Sequence, residues 1–200
     1  LPDHSRAAVY GTLLSDSRVG DRPALYVVHL RTGELAELSF DDAPSYQQVG
    51  DTMKSHAHGF AWDPGRGRFY LLEAGSGRLT VGELDKATVL KRVDLGPGLS
   101  LLDQLWQWLL SPVEAKMRNP GTSRGLLVSP DGSRLYALGM RTDWIQRPDG
   151  RHMSTETALG VQVIDAEALA EVAGLDLPVT HGYLSPDGRW LLLSGRVDKA

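Results

Sequence analysis

Val128-Ser129-Pro130-Asp131-Gly132-Ser133-Arg134-Leu135-Tyr136-Ala137-Leu138-Gly139 reads as an apolar run, a Ser-Pro-Asp-Gly turn and a second apolar run. Pro presets φ at the second turn position, Asp bonds its own backbone, and Gly accepts positive φ. The stretch is therefore a β-hairpin. It returns at Leu184-Ser185-Pro186-Asp187-Gly188-Arg189-Trp190-Leu191-Leu192-Leu193-Ser194-Gly195. Ala61–Leu72 carries the same pattern with a looser Asp63-Pro64-Gly65-Arg66-Gly67 turn, and Leu1–Tyr10 carries a fourth copy with His4 in place of the glycine. The marker prolines Pro2, Pro64, Pro130 and Pro186 are spaced by 62, 66 and 56 residues.

A second phrase follows each of the first three hairpins. It comprises Leu25–Leu30 with a turn at Arg31–Glu34, Leu79–Leu84 with a turn at Asp85–Thr88, and Gly160–Ile164 with a turn at Asp165–Ala168. Ala166–Ala173 has helical propensity, but its place in the repeat outweighs that and predicts a strand. Each unit thus holds four short antiparallel strands. Four-stranded units in series predict an all-β fold, a β-propeller. A β-sandwich lacks such self-similarity, and strand-like periodicity excludes a helical solenoid.

The expected organisation is a single propeller over 1–200, with blade units at about 1–40, 56–95, 123–177 and 180–200, or about three and a half blades. The chain opens at one hairpin turn and stops after another hairpin. That is expected of a piece of a larger propeller in preference to a very small ring closed by its two ends.

Two insertions lengthen the repeats, at 96–122 and 141–159. In the first, Ser100 is a candidate N-cap with Asp103 three residues on, and Pro112 a stop, which predicts a short helix over 99–111. Trp106 and Trp108 on that helix are candidate partner-binding residues, against the alternative that they pack on the propeller rim. The second insertion holds Arg141, Asp143, Trp144, Arg147, Asp149, Arg151 and His152 and is expected as a charged loop on one face. Trp144 and His152 are its candidate partner contacts.

Aligning the units places His58-Gly59, Arg124-Gly125 and His181-Gly182 five or six residues before their prolines. In a propeller the first strand of each blade lines the channel. His58, Arg124 and His181, with His56 close by, are therefore expected at one channel mouth. Arginine binds carboxylate or phosphate in a bidentate fork, so the set points to a small anionic ligand rather than a metal. The alternative is that these residues close the inner strands by hydrogen bonding.

The composition sets outer bounds. Net charge is −4 and the pI about 5.8, which argues against a general nucleic-acid binder. There is no cysteine, hence no disulfide and no thiolate site. The longest apolar stretch, Leu99–Leu110, is too short and too polar to span a bilayer. Gly-x-Ser-x-Gly, phosphate-loop and His-Glu-x-x-His signatures are absent.

The Ser-Pro-Asp-Gly phrase with its following turn resembles the YVTN-type and WD40-like propeller repeats of bacterial proteins, over nearly the whole chain outside the insertions. A weaker likeness, in Leu135–Leu177, is to the heavy subunit of amine dehydrogenases. The resemblances imply a propeller, an extracytoplasmic location, no cofactor on this chain and, in the second case, a smaller partner subunit. The functional expectation is a binding or scaffold propeller that recognises a protein or a small anion. The alternative is an enzyme or enzyme subunit, amine-dehydrogenase-like or lactonase-like, although the carboxylates of calcium-dependent propeller lactonases are not evident.

Overall fold

A computed structural model describes residues 5–14, 21–49, 52–96, 121–146 and 152–195. Those residues form fifteen strands and no helix. The helix expected over 99–111, with Trp106 and Trp108, lies outside the described residues.

The first sheet is an antiparallel meander of β1 (Arg6–Leu13), β2 (Arg22–His29) and β3 (Leu35–Ser39). The next is the four-stranded meander β6 (Gly59–Asp63), β7 (Arg68–Leu72), β8 (Arg78–Glu83) and β9 (Thr88–Asp94). A third meander joins β10 (Gly121–Val128), β11 (Arg134–Gln146), β12 (His152–Asp165) and β13 (Ala170–Leu175). The hairpin of β14 (His181–Leu184) and β15 (Leu191–Ser194) follows.

The alternation of side chains along β7 explains how these sheets pack. Phe69 and Leu71 are buried against Leu25, Val27 and Phe40 of the first sheet and the segment after it. Tyr70 and Leu72, on the opposite face, are buried against Leu126, Leu135, Ala137 and Ile164 of the third. The β6–β9 sheet is therefore covered on both faces, and the sheets stack face to face like successive blades. Tyr10 closes the first interface by stacking on Phe60, with ring centroids 4.4 Å apart and an interplanar angle of 7°. Phe60 in turn stacks on Phe69 at 6.2 Å. Gly82 makes room for Phe69, because a Cβ there would lie 2.2 Å from its Cζ.

The repeated turns have closely matching internal bonding. Ser129 Oγ donates to Asp131 Oδ1 and accepts from the Arg134 N–H, while the Gly132 N–H bonds the Ser129 carbonyl. Ser185, Asp187, Gly188 and Trp190 reproduce those three bonds. In the looser turn Asp63 does the same work, accepting from the Gly65 and Arg66 N–H groups. The turns also nest on one another. A Cβ on Gly132 would collide with Arg66 and Asp63 of the preceding turn, and one on Gly188 would lie 2.9 Å from Pro130 Cδ.

Two features depart from the sequence expectations. Residues 141–159 were expected as a charged loop, but most of them continue the β11–β12 ladder. Arg141 pairs with Thr157, Asp143 with Thr155 and Gln146 with His152. Thr142, Thr155 and Thr157 are β-branched and favour that extension, and the charges had masked it. A further hairpin, β4 (Tyr46–Val49) and β5 (Thr52–Ala57), was not anticipated. It adds to the third sheet through β5, which runs parallel to β10 with Gly121 opposite Ser55 and Thr122 opposite His56.

Candidate functional site

Three blade-first strands meet around β10. Its first residues, Gly121–Ser123, pair with β5. Its later residues pack against β6, since a Cβ on Gly59 would lie 3.1 Å from the Gly125 carbonyl carbon. On its other side lies β14, which joins β10 in lining a cavity of about 310 Å³ together with Phe60 and Leu138.

His58 joins β5 to β6 and sits one residue past the Ser123–Ala57 pair, as Arg124 does on β10. Its Nδ1 accepts from the Ala74 N–H at 3.1 Å, which fixes the ring as the Nε2–H tautomer. Burial lowers the His58 pKa to about 4, with His56 adding to the shift and the Pro44 and Ala43 backbone opposing it. Its ring therefore ties the bend between β5 and β6 to the second residue after β7. The His56 ring lies 6.4 Å away by centroids and is backed by Gly75, where a Cβ would be 3.2 Å from its Cε1. Burial, then the charge of Lys54, lowers its pKa as well. Both imidazoles are neutral at pH 7.

Arg124 lies inside β10 rather than at its head and is only 4% exposed. It pairs with Gly139 of β11, and the missing side chain there is what admits it. Its aliphatic stem crosses Gly139, and Nη1 donates to Gln162 Oε1 of β12 at 3.4 Å. Gln162 Nε2 donates onward to Glu171 Oε2 of β13 at 2.9 Å. Gln162 thus links the guanidinium to β12 and β13. Desolvation lowers the Arg124 pKa to about 10, so it stays protonated at pH 7. His181 heads β14 and is exposed, with Nδ1 2.8 Å from Thr180 Oγ1. Arg124 and His181 line the 310 Å³ cavity together, whereas His56 lines a different cavity and His58 lines neither.

Of the candidate partner contacts, Trp144 pairs with Ser154 and His152 with Gln146 on the extended hairpin. Sequence reasoning missed Gln162 and Gly139, which position Arg124. Neither carries a local signal, because both act across strands. Among the described residues no group of three or more His, Cys, Asp or Glu is placed to hold a metal ion. Among the same residues no helix is long and apolar enough to cross a membrane.

No protein-family model matches the chain, and no curated protein sequence matches it. Among solved structures, it is similar to the acylaminoacyl peptidase of Pyrococcus horikoshii at 12% identity and a TM-score of 0.45, covering 86% of this chain and 23% of that one. It is also similar to the Cps50 (Swd1) beta-propeller domain of Myceliophteria thermophila at 13% identity and a TM-score of 0.32, covering 94% of this chain and 65% of that one. The chain thus spans less than two thirds of the length of either structure.

Proposed function

We propose that the chain is a binding module of β-propeller type that takes a small carboxylate or phosphate in the cavity between β10 and β14. The observation that carries this reading is that Arg124, only 4% exposed and protonated at pH 7, lines a cavity together with His181. A buried arginine in a partly desolvated pocket binds an oxyanion more strongly than a solvated one does. His181, exposed at the cavity rim, adds a hydrogen bond.

The stacked sheets and adjacent first strands support the propeller part of the reading. The site offers a positive charge from Arg124 and hydrogen-bonding groups from Thr180 and His181, which is the chemistry of oxyanion binding.

Calorimetric titration of the protein with succinate and with inorganic phosphate tests the proposal. Saturable binding is expected, weakening with salt. It should fall by about tenfold or more in Arg124→Gln, the loss typical of a hydrogen bond to a charged group. His181→Gln should weaken it less and without loss of fold. Binding unaffected by both substitutions would refute the assignment.

A further inference from the structure

A second cavity, of about 540 Å³, opens where β1, the β4–β5 hairpin and the start of β10 meet. Its lining differs in kind from the Arg124 cavity. Hydroxyl-bearing residues are the most numerous in its lining, among them Thr12, Ser55 and Thr142, with Asp21, His56 and Tyr46 beside them. Among the described residues, no lysine or arginine lines it. Asp21 is only 5% exposed, so its charge acts at short range on whatever occupies the space. The buried carboxylate disfavours an anion here. A single carboxylate among hydroxyls also falls well short of the oxygen cage that calcium takes.

The hydroxyls each donate and accept, and the carboxylate accepts, so the lining matches a ligand whose own groups do both. Tyr46 adds a flat apolar face with a polar tip, suited to the C–H face of a ring. The volume falls within the range of small-molecule sites. Gly121 keeps the wall open, since a Cβ there would lie 2.8 Å from Ser55 Oγ.

We propose that this cavity binds a neutral polyol of mono- or disaccharide size, held by the threonine hydroxyls and Asp21 and stacked on Tyr46. The site is separate from the Arg124 cavity and does not depend on the anion reading.

The probes are maltose, cellobiose, trehalose and sucrose, titrated calorimetrically into the protein, with calcium chloride and sodium succinate as comparison ligands. At least one sugar is expected to bind saturably with a Kd of about 1 mM or tighter. Thr12→Val and Thr142→Val remove a hydroxyl while keeping the shape of the wall. Each should weaken that sugar about tenfold with an unchanged melting temperature. Succinate should not compete with the sugar. The proposal is overturned by the absence of saturable binding for all four sugars. Sugar binding that is indifferent to both valine substitutions also overturns it, as does calcium or succinate binding that those substitutions abolish.

Discussion

Arg124 reaches its position by passing over Gly139, its partner across the β10–β11 ladder. A Cβ on Gly139 would lie 2.9 Å from Arg124 Cδ and 2.4 Å from the Ser123 carbonyl oxygen. The second contact is with backbone, which cannot swing aside as a side chain can. Gly139→Ala is therefore expected to cost about 1–3 kcal/mol, the usual penalty of overpacking, read as a lower urea midpoint at unchanged m. It should also displace the guanidinium from Gln162 and weaken succinate binding in the same variant. Full stability with unchanged succinate affinity would show that the stem does not need the gap.

The nested turns predict a contrast between two glycines of similar φ. Gly33 has φ +74° and open space around its Cβ position. Gly132 has φ +68°, and its Cβ would lie 2.2 Å from Asp63 Oδ2, in a carboxylate whose other oxygen accepts two backbone N–H bonds. Gly33→Ala carries only the left-handed backbone penalty, about 1 kcal/mol. Gly132→Ala adds the collision and should cost about 2–3 kcal/mol. Equal losses in chemical denaturation would mean that the turns do not press on one another.

The second turn of the repeat holds a left-handed residue in three units, and the sequence meets that demand unevenly. Gly33, Ala87 and Leu169 have φ of 74°, 47° and 54°. Ala87 contributes one methyl to the core, whereas Leu169 places a whole side chain there, at 6% exposure. Ala87→Gly is expected to stabilise by up to about 1 kcal/mol, because relief of backbone strain exceeds the loss of one methyl. Leu169→Gly is expected to destabilise by about 2 kcal/mol or more, since burial exceeds strain. Thermal melts of the two variants should move in opposite directions.

What was legible in the sequence was the chemistry that acts within a few residues. Ser129, Asp131 and Gly132 specify their turn by themselves, and the unbroken apolar run Phe69-Tyr70-Leu71-Leu72 marks a strand of the looser hairpin. Arg124 stood out as a candidate by its place in the repeat, but its burial depends on Gly139, fifteen positions on, and its orientation on Gln162, two strands across. His58 is similar, since its partner Ala74 becomes a neighbour only once β6 and β7 have paired. The β4–β5 hairpin carried a weak cue, Gly50-Asp51 between short strands, but it lies outside the repeat that guided the reading. The extension of β11 and β12 was hidden by its charges, because a strand pair rich in polar side chains reads as a loop.

The His58–Ala74 bond predicts how the fold responds to acid. In the unfolded chain His58 titrates near 6.5, and in the folded protein burial lowers this to about 4. The unfolded state therefore binds the proton first. Stability from His58 is complete above pH 6.5, declines as pH falls from 6.5 towards 4, and levels off below that. At 1.36 kcal/mol per unit, the shift from 6.5 to about 4 sets an upper bound of about 3 kcal/mol on the loss. His56, with its pKa also lowered, adds in the same direction. A glutamine at position 58 has a carbonyl that accepts the Ala74 N–H and does not titrate. His58→Gln should thus be slightly less stable than the parent at pH 7 yet lose less on acidification to pH 4.5. Melting temperatures of parent and variant across that interval should converge. Parallel curves would mean that the acid sensitivity arises elsewhere and that the imidazole at the β5–β6 bend is solvated.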